Sequence, residues 1–143
     1  MKYGLAGVLF LTVFLLFAAC SKNAEGVRFE RKSLRSLQRK AEKEEKLIFL
    51  NMSSSTCAPC RWMERKVFSL PEVGEFMNAR FVSRKYDIYN GAGIPVRKSY
   101  DVEMAPTFLV LDSRGREIGR FTGKTRDAEE FIRKIRRIME DAQ

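Results

Sequence analysis

Histidine is missing from this 143-residue sequence, and cysteine (three), proline (four) and tryptophan (one) are scarce. Without histidine there is no Ser-His-Asp or Cys-His nucleophile, no His-ligated zinc and no histidine haem ligand. Three cysteines are too few for a dense disulfide scaffold, and too few for a four-thiolate zinc or iron–sulfur site within one chain. No internal repeat or low-complexity block is present, and the length suits one domain. The 45% apolar content supports an ordinary core. Any chemistry therefore falls to thiols, carboxylates and lysines.

Residues 1–19 read as a signal peptide rather than as fold. Lys2 is followed by an uncharged run from Tyr3 to Ala19, then by Cys20. A spanning helix needs about 20 apolar residues, so the run suits a signal h-region better than a permanent anchor. Ala18-Ala19-Cys20 resembles the lipobox of bacterial lipoproteins, in which the cysteine is lipidated and becomes the mature N-terminus. Phe17 departs from the usual aliphatic residue at its position. Export to the cell envelope and a lipid anchor at Cys20 are the expectation, and thiols exported in this way meet an environment where disulfides persist. The mature chain would carry 26 basic against 18 acidic side chains, or +8. That balance favours solubility and anionic headgroups, and nothing resembles a base-reading motif, so no nucleic-acid partner is expected.

Residues 20–33 are read as the lipidated N-terminus and tether, and 34–143 as the folded domain. Glu30 to Lys46 is charge-dense, with Leu34, Leu37 and Ala41 as its apolar stripe, which predicts a helix on the domain edge. Leu47 to Met52 has the apolar run of a buried strand. A helix follows from Cys57 to Phe68, on which Cys60, Met63, Glu64 and Val67 share a face. Ser69 is a plausible cap for a restart at Pro71. Further strands are read at Phe81 to Ile88, Thr107 to Leu111 and Glu117 to Phe121. Further helices are read from Pro95 to Tyr100 and from Arg126 to Met139. The order α-β-α-β-α-β-β-α predicts a three-layer α/β/α sandwich around a mixed central sheet.

Cys57-Ala58-Pro59-Cys60 is the one strong catalytic signature, because it lies between a predicted strand and a predicted helix. Three-residue spacing lets the sulfurs meet at a helix N-terminus, where the dipole and free amides favour a thiolate at Cys57. Cys60, one turn further in, is the buried resolving thiol. Pro59 fits the first turn, where its missing N–H costs nothing. A purely structural disulfide and half of an intermolecular metal site are the other readings. The first removes little chain entropy from so small a ring, and the second has only two thiolates.

The run KLIFLNMSSSTCAPCRWMERKVF, with Met104-Ala105-Pro106-Thr107 before a later strand, resembles the thioredoxin superfamily. Within it, the chain is similar to exported thioredoxin-like domains such as the C-terminal domain of the bacterial thiol:disulfide interchange protein. The resemblance spans roughly Leu34 to Met139. It implies a thioredoxin fold and dithiol–disulfide exchange, with Cys57 as nucleophile, Cys60 as resolving thiol and the two as a redox-active disulfide. It also implies a cis-proline at Pro106 facing the pair, with Ala105 placed to hold an extended substrate segment. Neither a cofactor nor a metal is called for. Protein disulfides are the implied substrates, and a membrane-embedded or exported thiol is the implied electron donor.

Two positions, Asn51 and Thr56, depart from the usual thioredoxin pattern. Asn51 stands where many thioredoxins place a buried aspartate, and an amide does not accept a proton. Glu64, four residues after Cys60, is the replacement base; the related exported domain also carries a glutamate there. Its bland role is a half-exposed carboxylate paired with Lys66 or Arg61. Thr56 replaces the usual tryptophan, Trp62 is expected at the helix edge, and Lys85 is a weaker candidate, more simply a solvated strand lysine. The reductive direction is favoured over an oxidase or isomerase, and a non-enzymatic docking module is the reading from another class.

Overall fold

A computed structural model of the chain describes residues 25–142. The expected signal peptide, Cys20 and the first residues of the tether lie outside the described residues, as does Gln143.

Strand β2 (Leu47–Ser53) is the centre of a five-stranded sheet. It pairs in parallel with β3 (Phe81–Asp87) and antiparallel with β4 (Thr107–Leu111). On the outer sides lie β1 (Phe29–Glu30), parallel to β3, and β5 (Glu117–Thr122), antiparallel to β4. The strand order is β1-β3-β2-β4-β5. The strand between two neighbours has no free edge, which is why β2 reads as a continuous apolar run.

Period-two alternation divides the core between the two faces of β2. Ile48, Leu50 and Met52 pack beneath α1 (Leu34–Glu44) and α4 (Gly93–Ser99), together with Leu37, Ala41 and Val96. Phe49 faces the other layer, formed by α2 (Ala58–Met63) with its π-helical extension Glu64–Phe68, α3 (Pro71–Arg80) and α5 (Ala128–Asp141). There Phe49, Phe68, Phe108 and Phe131 meet with ring centroids from 5.3 Å (Phe68–Phe131) to 6.1 Å (Phe49–Phe68). Burying one such ring contributes roughly 1.5–3 kcal/mol, and this cluster fixes the helix bearing Cys57 against the sheet. The expected three-layer sandwich is the one observed.

Four expectations are corrected in detail. Phe29 and Glu30, read as tether or helix, instead form β1, opposite Ser83 and Arg84 of β3. The helix that follows begins at Leu34 rather than at Glu30, and its stripe residues Leu37 and Ala41 are fully buried beneath an otherwise largely exposed helix. The helix from Cys57 does not run on unbroken as α-helix but widens into a π turn at Glu64. Ser69 does not cap α3; its hydroxyl donates to Arg65 O (2.7 Å), and Leu70 is the N-cap with Pro71 in the first turn.

The chain before β1 is clamped by two glycines. A Cβ on Gly74 would lie 1.9 Å from Glu25 O, and one on Gly26 would lie 2.3 Å from Phe68 O. Only bare backbone lets this strap approach so closely. Val27 N donates to Phe68 O, and Asn78 bonds both Arg28 N and Gly26 O.

Candidate active site

The redox pair sits where β2 ends. Ser53 O accepts from Ile88 N (2.9 Å), which ties the strand end to the chain leaving β3. The hydroxyl-rich stretch then turns: Cys57 N donates to Ser54 O, and the Ser54 and Thr56 hydroxyls lie 3.2 Å apart. Arg61 reaches back to donate to Ser55 O at 3.0 Å. Polar side chains here satisfy backbone groups that a turn exposes.

Asp87, at the end of β3, braces the same turn from the far side. Its carboxylate accepts from Tyr89 N at 2.9 Å. That backbone N–H, with the Asn90 side chain and the Ser55 N–H, holds the Asp87 carboxyl below the usual carboxylate range against the opposing effect of burial.

Cys57 is the N-cap of α2, with extended backbone, and its sulfur accepts from Cys60 N at 3.2 Å. Cys57 and Cys60 are joined as a disulfide, with Cα atoms 5.3 Å apart. Cys57 is half-buried, whereas Cys60 is only 2% exposed. One sulfur is therefore open to attack and the other is shielded, and the free amides of the first turn point at the open one.

Pro106 closes the site from the other side. The Ala105–Pro106 peptide is cis, and Ala105 O lies 3.6 Å from Cys57 Sγ. In the disulfide that sulfur has no hydrogen, so only a reduced Cys57 thiol can donate to it. Pro106 O accepts from Gly123 N, and Thr107 Oγ1 donates to Met104 O, which fixes the loop to β5 and to itself. Met104 stands 58% exposed on the rim. The structure thus brings Cys57, Cys60, Ala105 and Pro106 together.

Glu64 begins the π turn one helical turn beyond Cys60. Its partner is neither Lys66 nor Arg61 but Lys85 of β3, whose ammonium pairs with the carboxylate. Lys85 is thus part of the Glu64 environment rather than merely solvated. It stands beside Asn51 in the register of β2 and β3. Asn51 is 2% exposed, and its Oδ1 has no hydrogen-bond partner among the described residues. Trp62 is half-buried, with Lys124 Nζ 4.5 Å from its ring centroid. Sequence reasoning missed Asp87 and the Lys85–Glu64 pairing. Asp87-Ile88-Tyr89-Asn90 does carry the signal of an aspartate bonding the backbone two residues on.

The family model for the thioredoxin-like domain matches residues 34–138. Thioredoxin H2 of Arabidopsis thaliana is 34% identical over 93 residues, 64% of each chain. Spermatogenesis-associated protein 20 of Rattus norvegicus is 46% identical over 48 residues, 34% of this chain but 6% of that one. The chain thus spans less than two thirds of these curated relatives. Among solved structures, a candidate disulphide-isomerase from Bacteroides thetaiotaomicron superposes with a TM-score of 0.72 at 33% identity, over 82% of this chain and 97% of that one. The DsbD C-terminal domain of Neisseria meningitidis, in its oxidised form, gives 0.60 at 19% identity, over 71% and 89%, a likeness of fold.

Proposed function

The chain belongs to the thioredoxin-like domain family, and we propose that it is a thiol–disulfide oxidoreductase that reduces disulfides of exported proteins while anchored to a membrane. The observation that carries this reading is the asymmetry of the pair: Cys57 is half-buried at the helix head beside Ala105 O, and Cys60 is shielded behind it.

In the reduced protein the Cys57 thiolate attacks one sulfur of a substrate disulfide, and the other substrate sulfur leaves as a thiolate and takes up a proton. Cys60 then loses its proton to Glu64 and attacks the Cys57 sulfur. The second substrate sulfur departs and is protonated. Two electrons have moved to the substrate, and Cys57–Cys60 is left oxidised. A dithiol donor, membrane-embedded or exported, returns it to the reduced state. Ala105 would pair with an extended substrate segment next to the bond being exchanged.

The reductive direction is supported by what separates the cysteines. Ala58 and Pro59 add no cation that would hold Cys57 as a thiolate and so make the disulfide a strong oxidant. Anchoring rests on the lipobox-like Ala18-Ala19-Cys20, and the cell envelope follows from it. Equilibration of the full chain against glutathione and dithiothreitol buffers tests the direction. A potential more reducing than about −200 mV supports it, and one near about −120 mV makes the protein an oxidant. A bond that neither buffer opens would return the pair to a structural role.

A further inference from the structure

The strap before β1 fixes where the tether meets the fold. Val27 N donates to Phe68 O at 2.7 Å, and Asn78 accepts from Arg28 N and donates to Gly26 O. Gly26 lies against the backbone of Phe68 and Ser69, and Glu25 O lies against Gly74. The chain is thus held, from Glu25 onward, on the π turn and the first turns of α3. Cys20 precedes Glu25 by five positions, and five extended residues span at most about 18 Å. A lipid at Cys20 is therefore on a short leash to one patch of the surface.

The helix under that patch shows one sign of charge. Past the cysteine motif, the fully exposed charged side chains of α2 and the π turn are Arg61, Arg65 and Lys66. Glu64 is half-buried and paired with Lys85. None of the three cations has an ion-pair partner among the described residues. Arg61 and Arg65 are four apart, a spacing at which like charges disfavour a helix. Arg28 of the strap adds a fourth exposed cation, with Glu25 3.6 Å away. Glu72 and Glu75 are exposed on α3, so the face is cationic along α2 and the π turn and mixed beyond them.

We infer that the outer face of α2 and the π turn rests on the anionic headgroups of a membrane, with Arg28, Arg65 and Lys66 at the contact. The inference rests on the reading of Cys20 as a lipid anchor. Two separate observations converge on it: the leash lands beside this face, and the face carries cations without counter-charges. An anionic leaflet attracts each Lys or Arg held within a Debye length of it. Cys57 heads the same helix, no more than about 17 Å from Phe68 by helical rise. A helix laid along the bilayer keeps the redox pair beside the lipid surface, where its partners are proteins of that same membrane or close to it.

The test uses the chain from Cys20 onward, which contains every described residue, with Cys57–Cys60 closed so that Cys20 is its one free thiol. Coupling Cys20 to a maleimide lipid in nanodiscs supplies the anchor chemically, so the result concerns the face alone. A gadolinium-chelating lipid in discs of mixed phosphatidylglycerol and phosphatidylcholine should broaden the amide signals of residues 26–30 and 61–69 most, and those of α1 and α4 least. Discs of phosphatidylcholine alone should give weaker broadening with no preferred face. Arg65→Glu with Lys66→Glu should erase the pattern. The milder Arg65→Gln with Lys66→Gln should weaken binding of the uncoupled chain to the anionic discs about tenfold or more. Reduction of insulin in solution should be unchanged in both. Broadening centred on α1 or α4, the same pattern on neutral discs, or wild-type behaviour of both double variants would overturn the docking face and leave the anchor standing. A mature N-terminus other than Cys20 would overturn it by removing the leash.

Discussion

Glu64 of the helix carrying the redox pair is bonded to Lys85 of strand β3, an ion pair between two side chains that are each about a third or more exposed. Pairs of that exposure contribute little to stability, commonly under about 1 kcal/mol. Its meaning is therefore one of position: Lys85 holds the carboxylate on the side of the helix that faces the sheet, one turn from Cys60.

Glu64→Gln should slow the resolution of mixed disulfides while leaving the initial attack by Cys57 nearly unchanged. General-base catalysis is worth about 10²-fold or more, and relay through water lowers that, so a slowing of about tenfold to 10²-fold is expected. Rapid mixing that separates the two steps measures it. Unchanged resolution across neutral pH would leave Glu64 as a surface partner of Lys85.

Gly74→Ala should destabilise the fold although the site is helical. An exposed helical glycine replaced by alanine gains up to about 1 kcal/mol. Here the new Cβ would lie 1.9 Å from Glu25 O, a backbone atom, and forced overpacking costs about 1–3 kcal/mol. Urea denaturation should give a lower midpoint and earlier proteolysis of the strap, whereas a raised midpoint would mean that the strap yields freely.

Asp87→Asn should reduce stability near neutral pH. The folded carboxyl titrates below its ordinary range because it accepts from Tyr89 N, so its contribution is present at neutral pH and lost as pH falls through that lowered value. The variant and the wild type should therefore converge in acid, once the pH has fallen through that lowered value and both side chains are neutral. Denaturation midpoints compared at the two pH values decide it; a difference that persisted in acid would point to packing.

The architecture was largely legible in the sequence, and the exceptions share a cause. The strand at Thr107–Leu111 matches its expected limits, the strands starting at Leu47 and Glu117 run one residue further, and the C-terminal helix is displaced by two residues at both ends. Apolar runs and helical stripes are local, so sequence reveals them. Phe29–Glu30 escaped because two residues are too short for any periodicity to register, and their strand exists only through pairing with β3. The disulfide pair and Pro106 were legible because each is a local motif. The pairing of Lys85 with Glu64 was not, since 21 positions separate the two and only the sheet brings them together.

The reading of residues 1–20 makes a prediction of its own. Mass spectrometry of the mature protein should find a diacylated N-terminal Cys20, and Cys20→Ser should release the protein from membranes. An unmodified mature N-terminus at any other residue would remove the anchor and leave the redox chemistry as it stands.

Trapping is the most direct test of the central claim, that Cys57 attacks and Cys60 resolves. The reduced full chain carrying Cys60→Ser, mixed with a disulfide-bonded protein such as insulin, should accumulate a mixed disulfide that peptide mapping places on Cys57 and that dithiothreitol releases. Cys57→Ser should form no such adduct and should lack disulfide reductase activity. Adducts on Cys60 in Cys57→Ser at the same rate, or reductase activity that survives Cys57→Ser, would contradict the account.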